Sequence, residues 1–554
     1  GGGGAERRRR KESRMVEGGP LSQSDIANKW THKDQAAEGD NGQDDDVFSQ
    51  QAIDLPFHLR TRTRRWCSLA AFCVLSTICT GPLQSWATLE PILIKDGVFS
   101  HDHPQSQLTA IFSLALGFSV VASLFAGMAY DQLGPRALAV SGALGCAVML
   151  LAMVVCIAYR SLNWGLYVAY PLLTFLGWVN TFGAFAWLWL LPESQNTVNA
   201  IAQAVVPCFS DSLVLVIVWL HDAFDVQITT ALMVLAGLSL IAAFISHFLV
   251  PTKRENLAYA SAVVKSNSAN EAIAGRGDQY GSFSEGKEFN GAAVELVEGL
   301  EKLNEAPLVE DAVGNAPCGE GWRDLKDTCT LIFVLHPREN IMLLVHVLLL
   351  YLFVLLPTLE MYPFYRAYFG DVPQNSGIAT SLVNSYAAVY GLFGGLAAIL
   401  IGWGLDIVGL TNMILATQLI TTVLVVLLLL QSYAAQLAGQ VVLAAVCNIC
   451  VIIVGRFAML YGPPELYGTY SGIQNAWLGI GQMLFTPVIT TSSKAIFPHS
   501  NEAPTRYRAQ FLTFGVLSVL SGLAMYGLLK LKKPPKAGSV TMQHIRTAST
   551  CYSR

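Results

Sequence analysis

Five ionisable side chains fall inside long apolar runs: Glu90, Asp211, Glu360, Asp406 and Arg456. Charge in hydrocarbon is costly, so each one is first a functional hypothesis. Asp211 is the fifteenth residue of the 24-residue run 197–220, flanked by Ser210 and Ser212, near the middle of a bilayer crossing. An isolated carboxylate at that depth takes up a proton or finds a cation. It could therefore meet a substrate ammonium group or carry a coupling proton. The plainer alternative is a structural partner neutralised by hydrogen bonds from a neighbouring helix. Glu90 and Glu360 each end a Thr-Leu-Glu triplet near the outer end of a run, and are candidates for an outer gate or acidic vestibule, against a solvated helix end. Arg456 and Asp406 lie toward the other side. Arg456 either clamps a carboxylate bidentately or pairs with Asp406 or Glu465 as an inner latch.

A second candidate needs no charge. Gly81-Pro82 interrupts the first apolar run near its middle, because proline removes a backbone hydrogen bond and clashes with the preceding turn. Interrupted helices at mid-membrane offer free N–H groups to anionic substrate groups. Thr77, Thr80 and Gln84 stand close enough in sequence to contribute. The alternative is a kink that only shapes the bundle. In the fourth run Trp178 and Asn180, with Phe182, Phe185, Trp187 and Trp189, are candidates to line a pocket, although such aromatic residues more often face lipid or other helices.

Other chemistries find little support. No G-x-x-x-x-G-K-[ST] loop exists to hold nucleotide phosphates. Cys447 and Cys450 have CxxC spacing in the middle of an apolar run, with no second pair and no histidine nearby, and read as packing. His101-Asp102-His103 reads as a solvated loop before a metal site. No metal and no cofactor is expected, and no enzyme.

The elements that must position these residues follow from composition. The chain has 554 residues, 53% hydrophobic and only 13% charged, with a formal net charge of −4. Soluble domains carry about 25% charged residues, so this chain has too little polar surface for water, and nothing in its charge suggests nucleic acid. Helices of about 20 apolar residues cross a bilayer. Such runs occur at 66–93, 108–130, 137–159, 164–191, 197–220, 227–250, 340–363, 376–402, 412–432, 436–461, 466–491 and 507–529. They form two groups of six around a polar linker, 251–339, expected to be largely disordered apart from a short amphipathic helix near Ala292–Leu303. The tails 1–65 and 531–554 are expected to be disordered. Lys and Arg place both tails and the linker on the cytosolic side, with 28 of the 35 basic residues there, 6 opposite, and Arg456 within a span.

The chain also repeats. Gly127-Met-Ala-Tyr-Asp131-Gln-Leu-Gly134-Pro-Arg136 follows the second run, and Gly402-Trp-Gly-Leu-Asp406-Ile-Val-Gly409 follows the eighth, offset by 275 residues at each shared position. The same offset carries Pro82 to Pro357. Repeated groups of spans are how transporter folds are built.

This loop element, its second copy and the 6+6 layout resemble the major facilitator superfamily over about 66–530. Gln132 stands where that family has a basic residue, and Leu410 and Thr411 replace the Pro-Arg of the first copy. The segments Trp86–Phe99, Pro207-Cys-Phe-Ser-Asp211-Ser-Leu and Glu465-Leu-Tyr467-Gly468-Thr-Tyr-Ser-Gly are similar to the facilitative amino-acid transporters of solute carrier family 43 and their apicomplexan relatives. Pro192-Glu193-Ser194 resembles a sugar-porter tripeptide, but in the wrong loop and followed by Gln195.

The resemblance implies an all-α membrane protein, with two pseudo-symmetric bundles spanning 66–250 and 340–530. It implies alternating-access transport of a small solute by a monomer in the plasma membrane, facilitative and sodium-independent. An amino acid is the expected solute. A sugar, nucleoside or drug, or a non-transporting nutrient receptor on the same fold, is the alternative. By this resemblance Gly127, Asp131, Gly134, Arg136, Gly402, Asp406 and Gly409 act as a conformational lock.

Overall fold

The computed structural model describes residues 55–80, 86–99, 104–264, 320–370, 376–498 and 502–535, with five scattered positions beyond. The chain divides at Arg64. Before that point, a 3₁₀ turn at Phe57–Leu59 is tied down locally. The Arg60 Nε donates to the Leu55 carbonyl at 3.1 Å, and the Arg64 guanidinium lies 3.9 Å over the Phe57 ring.

After it, the described residues are helical, in the order α1 (Arg62–Thr80), α2 (Trp86–Lys95), α3 (Pro104–Leu133), α4 (Pro135–Ala158) and α5 (Leu166–Phe182). There follow α6 (Gln195–Ala200), α7 (Val206–Phe224), α8 (Ile228–Leu249), α9 (Glu320–Thr330), α10 (Pro337–Leu359) and α11 (Met361–Phe369). The last are α12 (Ser376–Ala388), α13 (Gly395–Leu429), α14 (Tyr433–Tyr461), α15 (Tyr467–Ile496) and α16 (Ala503–Leu531). Eight helices among the described residues are long and apolar enough to cross a bilayer. Large apolar side chains such as Phe125, Phe244 and Leu400 remain exposed on them, as a lipid-facing belt requires. This is an all-α membrane architecture.

Local sequence explains where helices break. Gly134 takes φ 86°, ψ 168° between α3 and α4, with Pro135 at the first helical position. Gly409 takes φ 77°, ψ 167° inside α13. Both lie in a region that L side chains avoid and glycine enters freely. The backbone thus repeats the turn that the sequence repeats. In the tenth helix Pro357 is followed by a break at Glu360, whose φ of −109° and ψ of 30° are not helical. In the first run the described helices reach Thr80 and resume at Trp86, and the expected interruption at Gly81 and Pro82, with Gln84, lies outside the described residues.

The segment 251–339 is helical at both described ends, over 253–264 and through α9. The expected helix at 292–303, and residues 1–54, lie outside the described residues.

Candidate functional site

The two loop motifs each reach a helix of the opposite half. Asp131, near the end of α3, accepts the backbone N–H of Gly468 at 2.9 Å and of Thr469 at 2.6 Å. These are first-turn donors of α15, which have no partner within their own helix. A carboxylate there also meets the positive end of the helix dipole. Asp406 does the same on the symmetry-related seam. It accepts the backbone N–H groups of Asn196 and Thr197, both at 3.1 Å, the Asn196 amide at 2.6 Å and the Thr197 hydroxyl at 2.7 Å.

Glycine makes these contacts possible. A Cβ on Gly127 would overlap the Gly468 carbonyl, and one on Gly468 would come within 2.5 Å of the Gly127 oxygen. At Gly402 a Cβ would stand 2.7 Å from Ala200 Cβ and 2.8 Å from the Asn196 carbonyl. Both seams therefore close backbone to backbone at the end of the bundle that carries the motifs. An aromatic layer lies beside them, where Phe185 packs edge-on against Tyr467 at 5.3 Å and against Phe182 at 5.0 Å.

The remaining lock residues divide. Arg136 binds the end of α8 and the start of the linker, donating to the Val250 carbonyl at 2.7 Å and pairing with Glu255 at 3.4 Å. Gly134 carries Lys253 against it, and a Cβ there would meet that backbone. Around Gly409 nothing comes within 4 Å, so its conformation alone requires glycine. Arg456 lies close enough to Asp406 to feel its charge, yet its Nε has no hydrogen-bond partner among the described residues. Among the described residues no ion pair joins Arg456 to Asp406 or to Glu465.

At the other end, Glu360 accepts from the Tyr507 hydroxyl at 2.8 Å and lies 3.8 Å from Arg506 and 3.9 Å from Lys494. It ties α10 to α15 and α16 within one half. Glu90 is half-buried on α2.

The substrate candidates are less well gathered. Asp211 lies in α7, and its side chain is outside the described residues, as is that of Thr80. Thr77 faces an apolar recess of about 490 Å³ lined by Cys73, Ile201, Val206, Phe209 and Ile399. Its hydroxyl turns back to the Cys73 carbonyl at 2.8 Å. Trp178 is half-buried on α5. Asn180 accepts from Ser76 at 2.7 Å and donates to the Ala139 carbonyl at 2.7 Å, so its amide ties three helices of the N-terminal half. His101, Asp102 and His103 lie outside the described residues, and no group of three or more metal-type ligands occurs among the described ones.

Sequence reasoning passed over a polar stripe on α15. Ser471, Gln474, Asn475 and Gln482 recur at helical spacing and are all buried. Both polar atoms of Gln474, the Ser471 hydroxyl and the Gln482 amide oxygen have no partner among the described residues. Buried polar atoms are nearly always satisfied, so this stripe is suited to meet water or a polar solute. Its signal in the sequence is the run of uncharged polar side chains, Ser471, Gln474, Asn475 and Gln482, at spacings of three, four and seven along one apolar span.

A fold of this kind is found in the solved proton:xylose symporter XylE bound to 6-bromo-6-deoxy-D-glucose. The TM-score is 0.55 at 12% identity, covering 88% of this chain and 99% of that one, which is a likeness of fold. A search of curated protein sequences finds no match. The family profile of the Major Facilitator Superfamily matches residues 66–484, well over half of the chain. With the repeated motif closing both seams, the chain belongs to the Major Facilitator Superfamily and is a transporter, not an enzyme.

Proposed function

We propose that this transporter carries amino acids by alternating access, as a facilitative, sodium-independent monomer of the plasma membrane. The observation that supports a moving gate is the pair of reciprocal caps, Asp131 on α15 and Asp406 on α6. Such contacts between halves hold one side shut and must part for that side to open. The basic residues around Arg60–Arg65 and Lys530–Lys533 support a cytosolic motif side. Amino acids are favoured by the segments around Trp86–Phe99, Pro207–Leu213 and Glu465–Gly472, and by a mid-span carboxylate at Asp211 suited to an ammonium group.

A sugar is the competing solute. It draws on the likeness to a xylose symporter and on the uncharged amide stripe of α15. Purified protein in liposomes, offered labelled amino acids and labelled sugars with and without a pH gradient, separates the two. Saturable uptake of amino acids that unlabelled sugar does not suppress supports the proposal, and the reverse pattern overturns it. Topology is tested independently. Epitopes at either terminus or in the linker should stay hidden from antibody in intact cells and become accessible on permeabilisation.

A further inference from the structure

The two aspartate caps do not account for every polar contact that crosses the seam. Asn199 stands about one turn beyond Asn196 and Thr197 on the same helix. Its amide nitrogen donates across the halves to the Ile452 carbonyl of α14 at 3.0 Å. Its amide oxygen accepts from Gln203 at 2.8 Å and from the Tyr467 hydroxyl of α15 at 3.3 Å. Asn199, Gln203 and Tyr467 are all buried. Gln203 belongs to a π-helical turn, Ile201–Val205, a local widening often found at functional positions.

The clasp is built around one missing side chain. A Cβ on Gly455 would overlap the Gln203 nitrogen and the Asn199 oxygen, and would come within 2.7 Å of the Asn199 nitrogen. Gly455 thus forms the notch in α14 that seats both amides. Among the described residues the symmetry-related seam shows no equivalent. Gly468 and Thr469 correspond to Asn196 and Thr197 as capped residues, which aligns Ser471 with Asn199. The Ser471 hydroxyl has no partner among the described residues.

We propose that Asn199, Gln203 and Tyr467, seated on Gly455, form a second inner lock on one seam only. The lock stands one turn from the Asp406 cap and beside the Gly468 end of the Asp131 cap, and it must release before the motif side opens. Asn199 is here a positioning residue of the gate that touches three helices and two halves. The inference rests on the alternating-access reading but not on the identity of the solute.

The test uses the full chain in liposomes, with spin-labelled unnatural amino acids at positions 193 and 465. These are exposed positions on short 3₁₀ turns of opposite halves. Asn199→Ala and Gly455→Ala should each raise the separated, motif-side-open population about tenfold, since each removes several buried hydrogen bonds. Tyr467→Phe removes one bond and should give a smaller shift in the same direction. The double variant Asn199→Ala/Gly455→Ala should shift no further than the larger single one, because both act on the same contact. Unchanged distances in Asn199→Ala and Tyr467→Phe would overturn the proposal, and so would additive effects in the double variant. If Gly455→Ala does not fold, the other two variants still decide. No solute is needed, so a chain that carried no amino acid would fail the uptake test and could still pass this one.

Discussion

Gly127 and Gly468, which belong to opposite halves, face each other so closely that neither tolerates a side chain. A Cβ on Gly468 would lie 2.5 Å from the Gly127 carbonyl oxygen and 2.8 Å from an Asp131 carboxylate oxygen. Backbone cannot rotate away as a side chain can, so a methyl group at either position separates the helices. Overpacking of this kind costs about 1–3 kcal/mol. It falls on the closed state alone, because the halves are apart in the other. Gly127→Ala should therefore open the motif side roughly tenfold to a hundredfold more often. A cysteine replacing buried Ser123, which bonds across the same seam to the Gly472 carbonyl, reports the opening. Its labelling by an impermeant thiol reagent should accelerate in the Gly127→Ala background, and an unchanged rate would count against the contact.

The caps make an ordered prediction. Asp131 receives two backbone N–H groups, whereas Asp406 receives two backbone and two side-chain donors. An amide keeps one acceptor oxygen and turns its NH₂ toward a remaining donor. A hydrogen bond to a charged group contributes about 1.5–3 kcal/mol, so both Asp→Asn variants should favour opening. Asp406→Asn should act more strongly. Asp131→Asn should slow turnover roughly tenfold while changing solute Kd far less, because the substitution biases populations without touching a pocket. Normal turnover with lost binding would contradict the gating role.

Much of this contact geometry was legible in the residues themselves. The spacing of Gly127, Asp131 and Gly134, repeated 275 positions on, located both aspartates and both left-handed glycine turns. It could not locate their partners. Those are mostly backbone N–H groups at Gly468, Thr469, Asn196 and Thr197, and a helix start offers the same donors whatever its sequence. Gly455 was equally silent, since a glycine in an apolar run looks the same whether it faces lipid or seats two amides. Asn180 shows the reverse difficulty. A buried amide in an aromatic helix looks like a pocket residue until its bonds to Ser76 and Ala139 are seen.

That assignment of Asn180 is open to measurement. Both ends of its amide are engaged inside one half, and Gly142 leaves room for its backbone: a Cβ there would come within 2.5 Å of the Asn180 nitrogen. Asn180→Ala would leave the Ser76 hydroxyl and the Ala139 carbonyl with one partner fewer in a buried site. A loss of about 1–3 kcal/mol is expected, visible as a lower melting temperature of the detergent-solubilised protein. Transport KM, measured on protein that remains folded, should change little. A raised KM at unchanged melting temperature would return Asn180 to the substrate path.

Asp211 is the sharpest remaining test of the transport chemistry. It lies in α7, next to Ser212, whose hydroxyl occupies the space a Cβ on Gly391 would need. Position 211 is therefore adjacent to a seam between the halves. A carboxylate at mid-membrane depth keeps its charge only with a partner. An arriving ammonium group would supply one and relieve the cost of desolvation. Removing one hydrogen bond to a charged group costs about 1.5–3 kcal/mol, so Asp211→Asn should weaken solute affinity roughly tenfold to a hundredfold at every pH. A proton carrier would behave differently: the same variant would keep counterflow exchange and lose its response to a pH gradient. Uptake and counterflow in liposomes over a range of pH distinguish the two. A correctly inserted variant with normal transport and unchanged pH dependence would exclude Asp211 from the path, leaving the uncharged amide stripe of α15 and the interruption of the first span to hold the solute.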